Sequence, residues 1–389
     1  MASELQVNTI TEATSGSGIT FAKDIIPATP LSHRNLIING AMQVAQRGTS
    51  FSITQTNNGG FALDRFKYYQ GSTVGQWEGT MSQHTMTSAE LNTTGHAKAL
   101  KIATGTVENA WGADESANVH QIIEAQNLQH LQYGTAAAKS VTLSFWVKSS
   151  VTGTFAVGLY KDDSAGSLND RIINKTISIS DTNWNKYTLT FPGDTDSSAT
   201  ITNDNGAGIH ILWHLGAGSD FNDGANTSWE TYTSAGWAGG HAQNGIMTTS
   251  GATWYLTGVQ LELGSVATPF EHRSYTDELL KCWRYYYKIV EGHLKWVGSG
   301  GYYSSSIFVC YKQWPVEMRA TPTIDYVTGT NYYAILGDGT DLCDSLSITR
   351  PHPLGGGFDV GGNVSGTSGD GGVLSTNNAA AYVAVTAEL

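Results

Sequence analysis

The feature that most constrains the fold is a two-residue alternation of apolar and polar side chains, repeated between residues 35 and 271. This alternation puts one set of side chains on a buried strand face and the other set in solvent. Clusters of Gly, Asn, Asp and Ser separate the runs. The clearest runs are Val141/Leu143/Phe145/Val147, Phe155/Val157/Leu159, Tyr187/Leu189/Phe191, Ile209/Ile211/Trp213/Leu215 and Val259/Leu261/Leu263. With no convincing helix between them, they predict antiparallel sheets stacked as a jelly-roll sandwich.

A helical period replaces this alternation at residues 274–288. Ser274 is a plausible N-cap. The residues that share the apolar face are Leu279, Leu280, Trp283, Tyr286 and Tyr287. We expect this helix to pack on a sheet or on a neighbouring subunit.

The remaining sequence predicts a smaller C-terminal β domain. Its expected strands are Ile307 to Tyr311, Thr323 to Val327, Tyr332 to Leu336, Leu346 to Ile348 and Tyr382 to Val385. Residues 354–373 hold nine glycines between Gly355 and Gly372, which predicts a loop or a backbone-rich tip and not a core strand.

The N-terminal segment contains two short apolar runs, Leu5 to Ile10 and Ile19 to Ile26, joined by a Gly/Ser turn. Together they predict a hairpin, which is marginal alone and needs partners. Pro27 and Pro30 indicate an extended connector. The chain is therefore divided into residues 1–32 (attachment and trimerisation), 33–273 (jelly roll) and 274–389 (helix and β tip).

Composition excludes several classes of partner. Only 14% of the residues are charged, and the formal net charge of −12 disfavours nucleic acid and anionic membranes. No apolar run approaches 18 residues, and the N-terminus lacks the basic and apolar regions of an export signal. Cys282, Cys310 and Cys343 are too scattered for a disulfide framework and predict small buried residues. We expect synthesis in a cytoplasm, no membrane insertion, and release by lysis.

Catalytic and cofactor signatures are missing from the sequence. It has no Gly-Lys pair for a phosphate loop, no G-x-S-x-G and no H-E-x-x-H. His210 and His214 fall on one strand about 13 Å apart, too far to share a metal, and predict solvent-face or interface histidines. The acid pairs are Asp162/Asp163, Asp194/Asp196 and Asp338/Asp341, for which turn capping is preferred over calcium or glycosidase chemistry. The prediction is no enzyme, no cofactor and no metal site.

Two aromatic-rich segments are candidate ligand surfaces. Within the jelly roll, the candidates are Trp229, Tyr232, Trp237 and His241, which interrupt the strand alternation among small polar residues. In the C-terminal domain, the candidates are Tyr332, Tyr333, His352 and Phe358, around the glycine-rich segment. Such rings stack on sugars while amides and hydroxyls bond the sugar hydroxyls. The alternative, which we favour for the jelly-roll set, is that the rings fill the sandwich end or a subunit interface.

Several short sequence motifs resemble those of a module found in phage tail fibre and virion structural proteins. The motifs are Asn35-Leu36-Ile37-Ile38-Asn39-Gly40, Gln46-Arg47-Gly48, Leu63-Asp64-Arg65-Phe66, Gly258-Val259-Gln260-Leu261-Glu262-Leu263-Gly264, Ala267-Thr268-Pro269-Phe270-Glu271, Cys282-Trp283-Arg284-Tyr285-Tyr286 and Met318-Arg319-Ala320-Thr321-Pro322. The resemblance covers residues 33–389. It implies a jelly roll similar to carbohydrate-binding modules, a trimeric fibre, and virion partners held through the N-terminus.

Three functions remain open at this point. The leading one is a trimeric, virion-located tail fibre or appendage that binds a host-surface receptor, a glycan or a protein. Another is a purely structural virion decoration or connector. The weakest is a glycan-cleaving enzyme. The host, the receptor, the position on the virion and bound calcium are left undetermined by the sequence.

Overall fold

A computed structural model describes residues 32–71, 74–162, 169–224 and 227–389. The predicted N-terminal hairpin lies outside these residues. The described chain is mostly β, as predicted, with strands numbered here along the sequence. None of its described helices is long and apolar enough to span a membrane.

Two antiparallel sheets form the sandwich in the described part of residues 33–273, and the predicted jelly-roll sandwich is confirmed. Sheet 1 has six strands in the order β1 (Ser50–Ile53), β4 (Glu78–Thr85), β5 (Lys98–Thr106), β13 (Thr253–Leu263), β7 (Val141–Ser149) and β10 (Asn185–Phe191). Sheet 2 has seven, in the order β12 (Glu230–Thr231), β9 (Arg171–Ile179), β8 (Gly153–Lys161), β11 (Ala207–Ala217), β6 (Ser116–Glu124), β3 (Phe66–Gln70) and β2 (Gly59–Leu63). Their facing side chains form one hydrophobic core.

The alternating runs correspond to strands whose apolar positions face this core. On β11, Ile209, Ile211 and Trp213 are buried between the sheets. The intervening His210 and His214 point to the outer face of sheet 2. His214 is only 1% exposed, so its predicted solvent-face or interface position is wrong. A segment of the chain covers it.

Short helices and turns join these strands. The helices are α1 (Ser88–Thr94) and α2 (Gly245–Thr248), and the 3₁₀ turns are Ala125–Leu131 and Ser197–Ala199. The expectation of no helix here is wrong for α1. Its N-cap Thr87 and Glu90 form a reciprocal capping box, which stabilises a two-turn helix on the outside of sheet 1.

Helix α3 (Tyr275–Trp283) begins at the predicted N-cap, where the Ser274 side chain accepts a hydrogen bond from Asp277 N. It is shorter than predicted. Tyr286 and Tyr287 belong to strand β14 (Tyr286–Glu291), where pairing with β23 (Tyr382–Thr386) supplies backbone hydrogen bonds that outweigh the helical period.

Two further sheets, also antiparallel, form the described C-terminal region. Sheet 3 has the order β14, β23 and β17 (Thr323–Tyr326). Sheet 4 has the order β19 (Thr340–Cys343), β18 (Tyr333–Leu336), β22 (Gly371–Thr376), β15 (Trp296–Ser304), β16 (Ile307–Gln313), β21 (Gly355–Gly361) and β20 (Ser345–His352). They share a second core, and the three cysteines are free and buried. The exact domain boundaries remain a prediction.

The glycine-rich segment is partly strand, so its prediction as a loop alone is wrong. Gly355–Gly361 forms β21, hydrogen-bonded between β16 and β20. A Cβ on Gly355 would lie 2.4 Å from the Tyr311 hydroxyl, and one on Gly357 would lie 2.7 Å from Thr349 Cγ2. The glycines are present because neighbouring side chains lie directly over this strand.

Two of the sequence motifs that carry the family resemblance, around Arg65 and around Tyr285, meet at the joint between the sandwich and sheet 3, where Arg65 Cζ lies 3.5 Å from the centre of the Tyr285 ring. Arg284 donates to both carboxylate oxygens of the fully buried Glu124, at 2.7 and 2.8 Å, and the Tyr285 hydroxyl donates to the same group. Arg65 pairs with Glu388 on the same joint. Burial alone would raise the pKa of Glu124, but the hydrogen bonds from Arg284 and Tyr285 lower it. Paired buried charges of this kind fix the joint's geometry.

Candidate functional site

The candidate site lies on the outer face of sheet 2, where residues 232–241 fold over strands β8 and β11. Gly236 O accepts a 2.7 Å hydrogen bond from Asn174 Nδ2, and Tyr232 N donates to Asp170 O at 2.9 Å. At the far end of the segment, His241 Nδ1 accepts from Ala156 N at 3.2 Å. These bonds position the segment against the sheet at three points.

Three aromatic rings form a mutually contacting cluster there, which we call the ring triad: Tyr160, Tyr232 and Trp237. Their ring centres are 5.3, 5.4 and 5.9 Å apart, and each pair is edge-to-face. All three side chains are partly exposed. Rigid rings held at right angles give a ligand both a ring face and ring edges to contact.

Polar groups border the ring triad. The Tyr160 hydroxyl donates to the buried Asp170, and burial together with this bond raises the Tyr160 pKa, so the hydroxyl stays protonated. The His210 ring is 5.2 Å from the Tyr160 ring, and its Nε2 lies 3.6 Å from Asp162 Oδ2. Of these groups, Asp162 has a side chain that is 31% exposed, so the border presents a hydrogen-bond acceptor to a ligand.

Beneath the segment lies a group of buried polar side chains with unpartnered atoms. Asn118, Asn174 and His214 are each 1% exposed. Among the described residues, Asn118 Nδ2, Asn174 Oδ1 and both ring nitrogens of His214 have no hydrogen-bond partner. Asn118 and His214 are direct register partners on β6 and β11. Burial lowers the pKa of His214 to about 3, so its ring is neutral and can donate and accept.

The structure divides the jelly-roll candidates into two kinds. Tyr232 and Trp237 belong to the ring triad. Trp229 is buried, donates from Nε1 to Pro192 O at 2.7 Å and packs edge-on against Tyr133. His241 is 2% exposed, and burial lowers its pKa to about 4. His241 packs beside His214 beneath the segment, whereas Trp229 belongs to the core of the sandwich, as the favoured alternative expects. Their prediction as ligand contacts is therefore wrong.

The C-terminal candidates do not form a site. Tyr333 and Phe358 are fully buried in the second core, where Tyr333 donates to Val327 O at 2.6 Å. Their prediction as ligand contacts is wrong because core packing withdraws both rings from solvent. The Tyr332 ring lies over Gly329, whereas His352 is exposed in the β20–β21 turn beside Trp314. These two therefore belong to separate loops.

Tyr160 and His210 were missed as site residues. Both occupy positions that alternate with core residues on their strands, which is the signal that places them on the outer face. Tyr160 could have been found from the sequence, because it is an aromatic residue at a position where the alternation of apolar and polar residues predicts a polar one.

The acid pairs act as structural groups where the structure describes them. Asp194 is buried and accepts from Arg171 Nε at 2.8 Å, and Asp196 caps the Ser197–Ala199 turn. Asp341 accepts from Tyr302 and from Ser365 N. The lack of enzymatic activity remains a prediction.

No protein-family model matches the chain, and neither does any curated protein. Among solved structures, the chain is similar to the enzymatically active domain of tailspike protein 4 of bacteriophage CBA120, at 14% identity over 59% of this chain and 21% of that one, with a TM-score of 0.31. A family 11 carbohydrate-binding module from Clostridium thermocellum, solved with a β-1,3-1,4-mixed-linked tetrasaccharide, matches at 11% identity over 57% and 99%, with a TM-score of 0.28. A putative sugar binding protein from Bacteroides thetaiotaomicron VPI-5482 matches at 13% identity over 59% and 100%, with a TM-score of 0.29. TM-scores this low do not identify a function.

Proposed function

We propose that this chain is a glycan-binding adhesion protein of a virus particle, and that the ring triad on sheet 2 is its receptor site. The observation that carries the proposal is a partly exposed cluster of three aromatic rings, held at right angles to one another and bordered by the partly exposed carboxylate of Asp162. A neutral sugar offers an apolar ring face to Tyr160, Tyr232 and Trp237 and a hydroxyl to the carboxylate at their border.

Two further features support a neutral ligand at this place. His214 and His241 are held neutral by burial, with pKa values of about 3 and about 4, so neither carries charge to attract an anion at physiological pH. The carboxylates of Asp162 and Asp170 near Tyr160 disfavour an anionic ligand for the same reason.

The virion location, the trimeric state and the non-enzymatic role belong to the same proposal and are supported by the family resemblance of residues 33–389. Single sugar sites bind weakly, because the ligand is small and its hydroxyls must be desolvated. Three copies on one particle fibre raise the overall avidity by about 10² to 10⁴ without any new contact. Adhesion of this kind needs binding without turnover.

The decisive test is the binding of purified Trp237→Ala protein to host surface polysaccharides on a glycan array. Loss of one stacking ring should weaken binding by roughly ten- to a hundredfold, corresponding to about 1.5–3 kcal/mol. Because Trp237 is partly exposed, the thermal midpoint should change little.

Trp296→Ala is the matched control, since Trp296 is 71% exposed and lies on sheet 4, which shares no strand with sheet 2, where the ring triad lies. It should bind like the unmodified protein. Equal binding by Trp237→Ala, or no glycan bound by either form, would favour the structural decoration. Release of reducing ends from a bound glycan would favour the enzyme.

A further inference from the structure

The outer face of sheet 1, on the opposite side of the sandwich, carries a row of charged and aromatic side chains. Lys101 on β5 and Lys148 on β7 are the register partners of Tyr255 on β13, one on each side. Their ammonium nitrogens lie 5.6 and 5.5 Å from the centre of the Tyr255 ring. Two strand spacings, about 10 Å, separate the two lysine backbones. We call Lys101, Tyr255 and Lys148 together the lysine row.

Further aromatic and basic groups extend the lysine row on the same face. The His84 ring is 5.2 Å from the Tyr255 ring, edge-on, and the Trp184 ring is 6.0 Å away. Lys186 on β10 pairs across the strands with the partly exposed Trp146. This face therefore combines aromatic surface with three lysines on three different strands.

The carboxylates nearest to the row are already engaged. Glu90 accepts hydrogen bonds from Lys148 at 3.0 Å and from Trp184 Nε1 at 3.1 Å, and its other oxygen contacts His84. Asp181 accepts from Asn183 N and Asn185 Nδ2 within the turn before β10. Lys101 and Lys186 form no salt bridge within the described residues.

This basic face stands out in a chain with 21 basic and 33 acidic residues. Most of the surface repels an anionic polymer, and a local group of cations on a sheet face gives such a polymer one complementary place to bind. A flat face with rings and lysines at strand spacing fits an extended chain better than a single ion.

We propose that the lysine row and the neighbouring Lys186 bind an acidic polysaccharide, whose repeated anionic groups pair with Lys101 and Lys186 while a sugar ring stacks on Tyr255, and Lys148 stays paired with Glu90. The ammonium groups act as point charges and accept a carboxylate or a phosphate equally well. This second site does not involve any residue of the ring triad. It binds negatively charged glycans, whereas the ring triad binds neutral ones.

The test measures binding of polygalacturonate, which carries carboxylates, and of a phosphate-bearing teichoic acid, with neutral dextran as the uncharged reference. The Lys101→Gln, Lys186→Gln double variant should bind the acidic polymers about tenfold more weakly at about 50 mM salt, and the salt dependence of its binding should be shallower because fewer counterions are released. A preference for one acidic polymer identifies the anion as carboxylate or phosphate.

Three controls make the outcome decisive. Lys295→Gln removes one positive charge from an exposed position on the C-terminal region and should leave binding unchanged, whereas Lys101→Gln and Lys186→Gln should each weaken it as single changes. Tyr255→Ala should weaken acidic polysaccharides but not a short DNA duplex, and Trp237→Ala should affect neither. Equal losses in Lys295→Gln, or DNA binding as tight as the polysaccharides, would overturn the site and leave only a general charge effect.

Discussion

His214 shows at the residue scale what the site costs the fold. Buried polar atoms nearly always have partners, because an unpartnered one costs about 1–3 kcal/mol. His214, Asn118 and Asn174 leave such atoms together beneath the ring triad. A chain selected for stability alone would place apolar side chains there.

We therefore expect His214→Leu to be more stable than the unmodified protein by about 1 kcal/mol at pH 7. It should also bind the neutral glycan more weakly, because the Trp237 ring packs edge-to-face on the His214 ring, with the ring centres 5.8 Å apart, and loses that support. The pKa of His214 is lowered to about 3 in the folded state, so the unfolded chain takes up its proton first as pH falls from about 6.5. The free energy of unfolding is therefore unaffected by this group above about pH 6.5 and falls progressively between about pH 6.5 and about pH 3. Because His214→Leu lacks the titrating ring, its stability advantage should be larger at pH 5 than at pH 7.

Urea unfolding at pH 7 and pH 5, together with glycan titration, checks both parts. Leu212→Met, a conservative change at the buried neighbouring position, serves as the control and should alter neither the pH dependence nor binding. A destabilised His214→Leu protein would mean that ordered water already satisfies the ring.

Trp229 and Trp237 show which part of the site the sequence could not predict. They are eight residues apart in the same polar segment, yet one is buried and bonded to Pro192 O and the other is partly exposed. The sequence correctly indicates that the segment is aromatic and mostly irregular, but it misses the short strand β12 (Glu230–Thr231), which pairs with β9. Which ring faces solvent depends on the Asn174–Gly236 bond and the neighbouring strand, which local pattern does not encode.

At the scale of elements, β21 has a steric requirement that can be tested against a control position on the same strand. We expect Gly357→Val to destabilise the C-terminal region by about 1–3 kcal/mol, because its Cβ would lie 2.7 Å from Thr349 Cγ2. Gly361→Ala on the same strand is the control, since its nearest neighbour is Ser345 Oγ at 3.8 Å. Thermal unfolding followed by circular dichroism measures both. Equal midpoints would contradict the close approach.

The elements predicted well are those fixed by local pattern. Strands β7, β8, β10, β11 and β13 follow from two-residue alternation because apolar side chains fill the core on one face of each strand and more polar ones point to the other face. That the outer faces of β7, β11 and β13 are also largely buried is not visible in this pattern. The capping residues of α1, Thr87 and Glu90, were visible in the sequence but were outweighed by the surrounding strands. The end of α3 and the strand character of β21 depend on pairing with β23, β16 and β20, which lie elsewhere in the chain.

At the scale of the whole molecule, the first described residues of the sandwich are held by its last strand, β13. Asn35 anchors the start of the sandwich, since its side chain bonds Val259 O and Leu261 N. We expect deletion of residues 1–31 to leave the β circular dichroism intact and to convert a trimer into a monomer. Light scattering should then fall to a mass near that of one chain, which is 41.6 kDa at full length.

The full-length protein is the control for this deletion. A full-length mass near 41.6 kDa would contradict the trimer, and loss of β structure in the shortened chain would show that residues 1–31 complete the fold.

The central position of β13 in sheet 1 has a consequence for how the chain reaches this structure during synthesis. β5 and β7 lie on either side of β13, which leaves the ribosome more than a hundred residues after β7. At about 5–20 residues synthesised per second, the edges of β5 and β7 that later pair with β13 stay unpaired for roughly ten seconds. Strand pairings this distant in sequence also form slowly. Open strand edges attract other chains. The yield of folded protein should therefore depend on the translation rate and on the growth temperature of the producing cell.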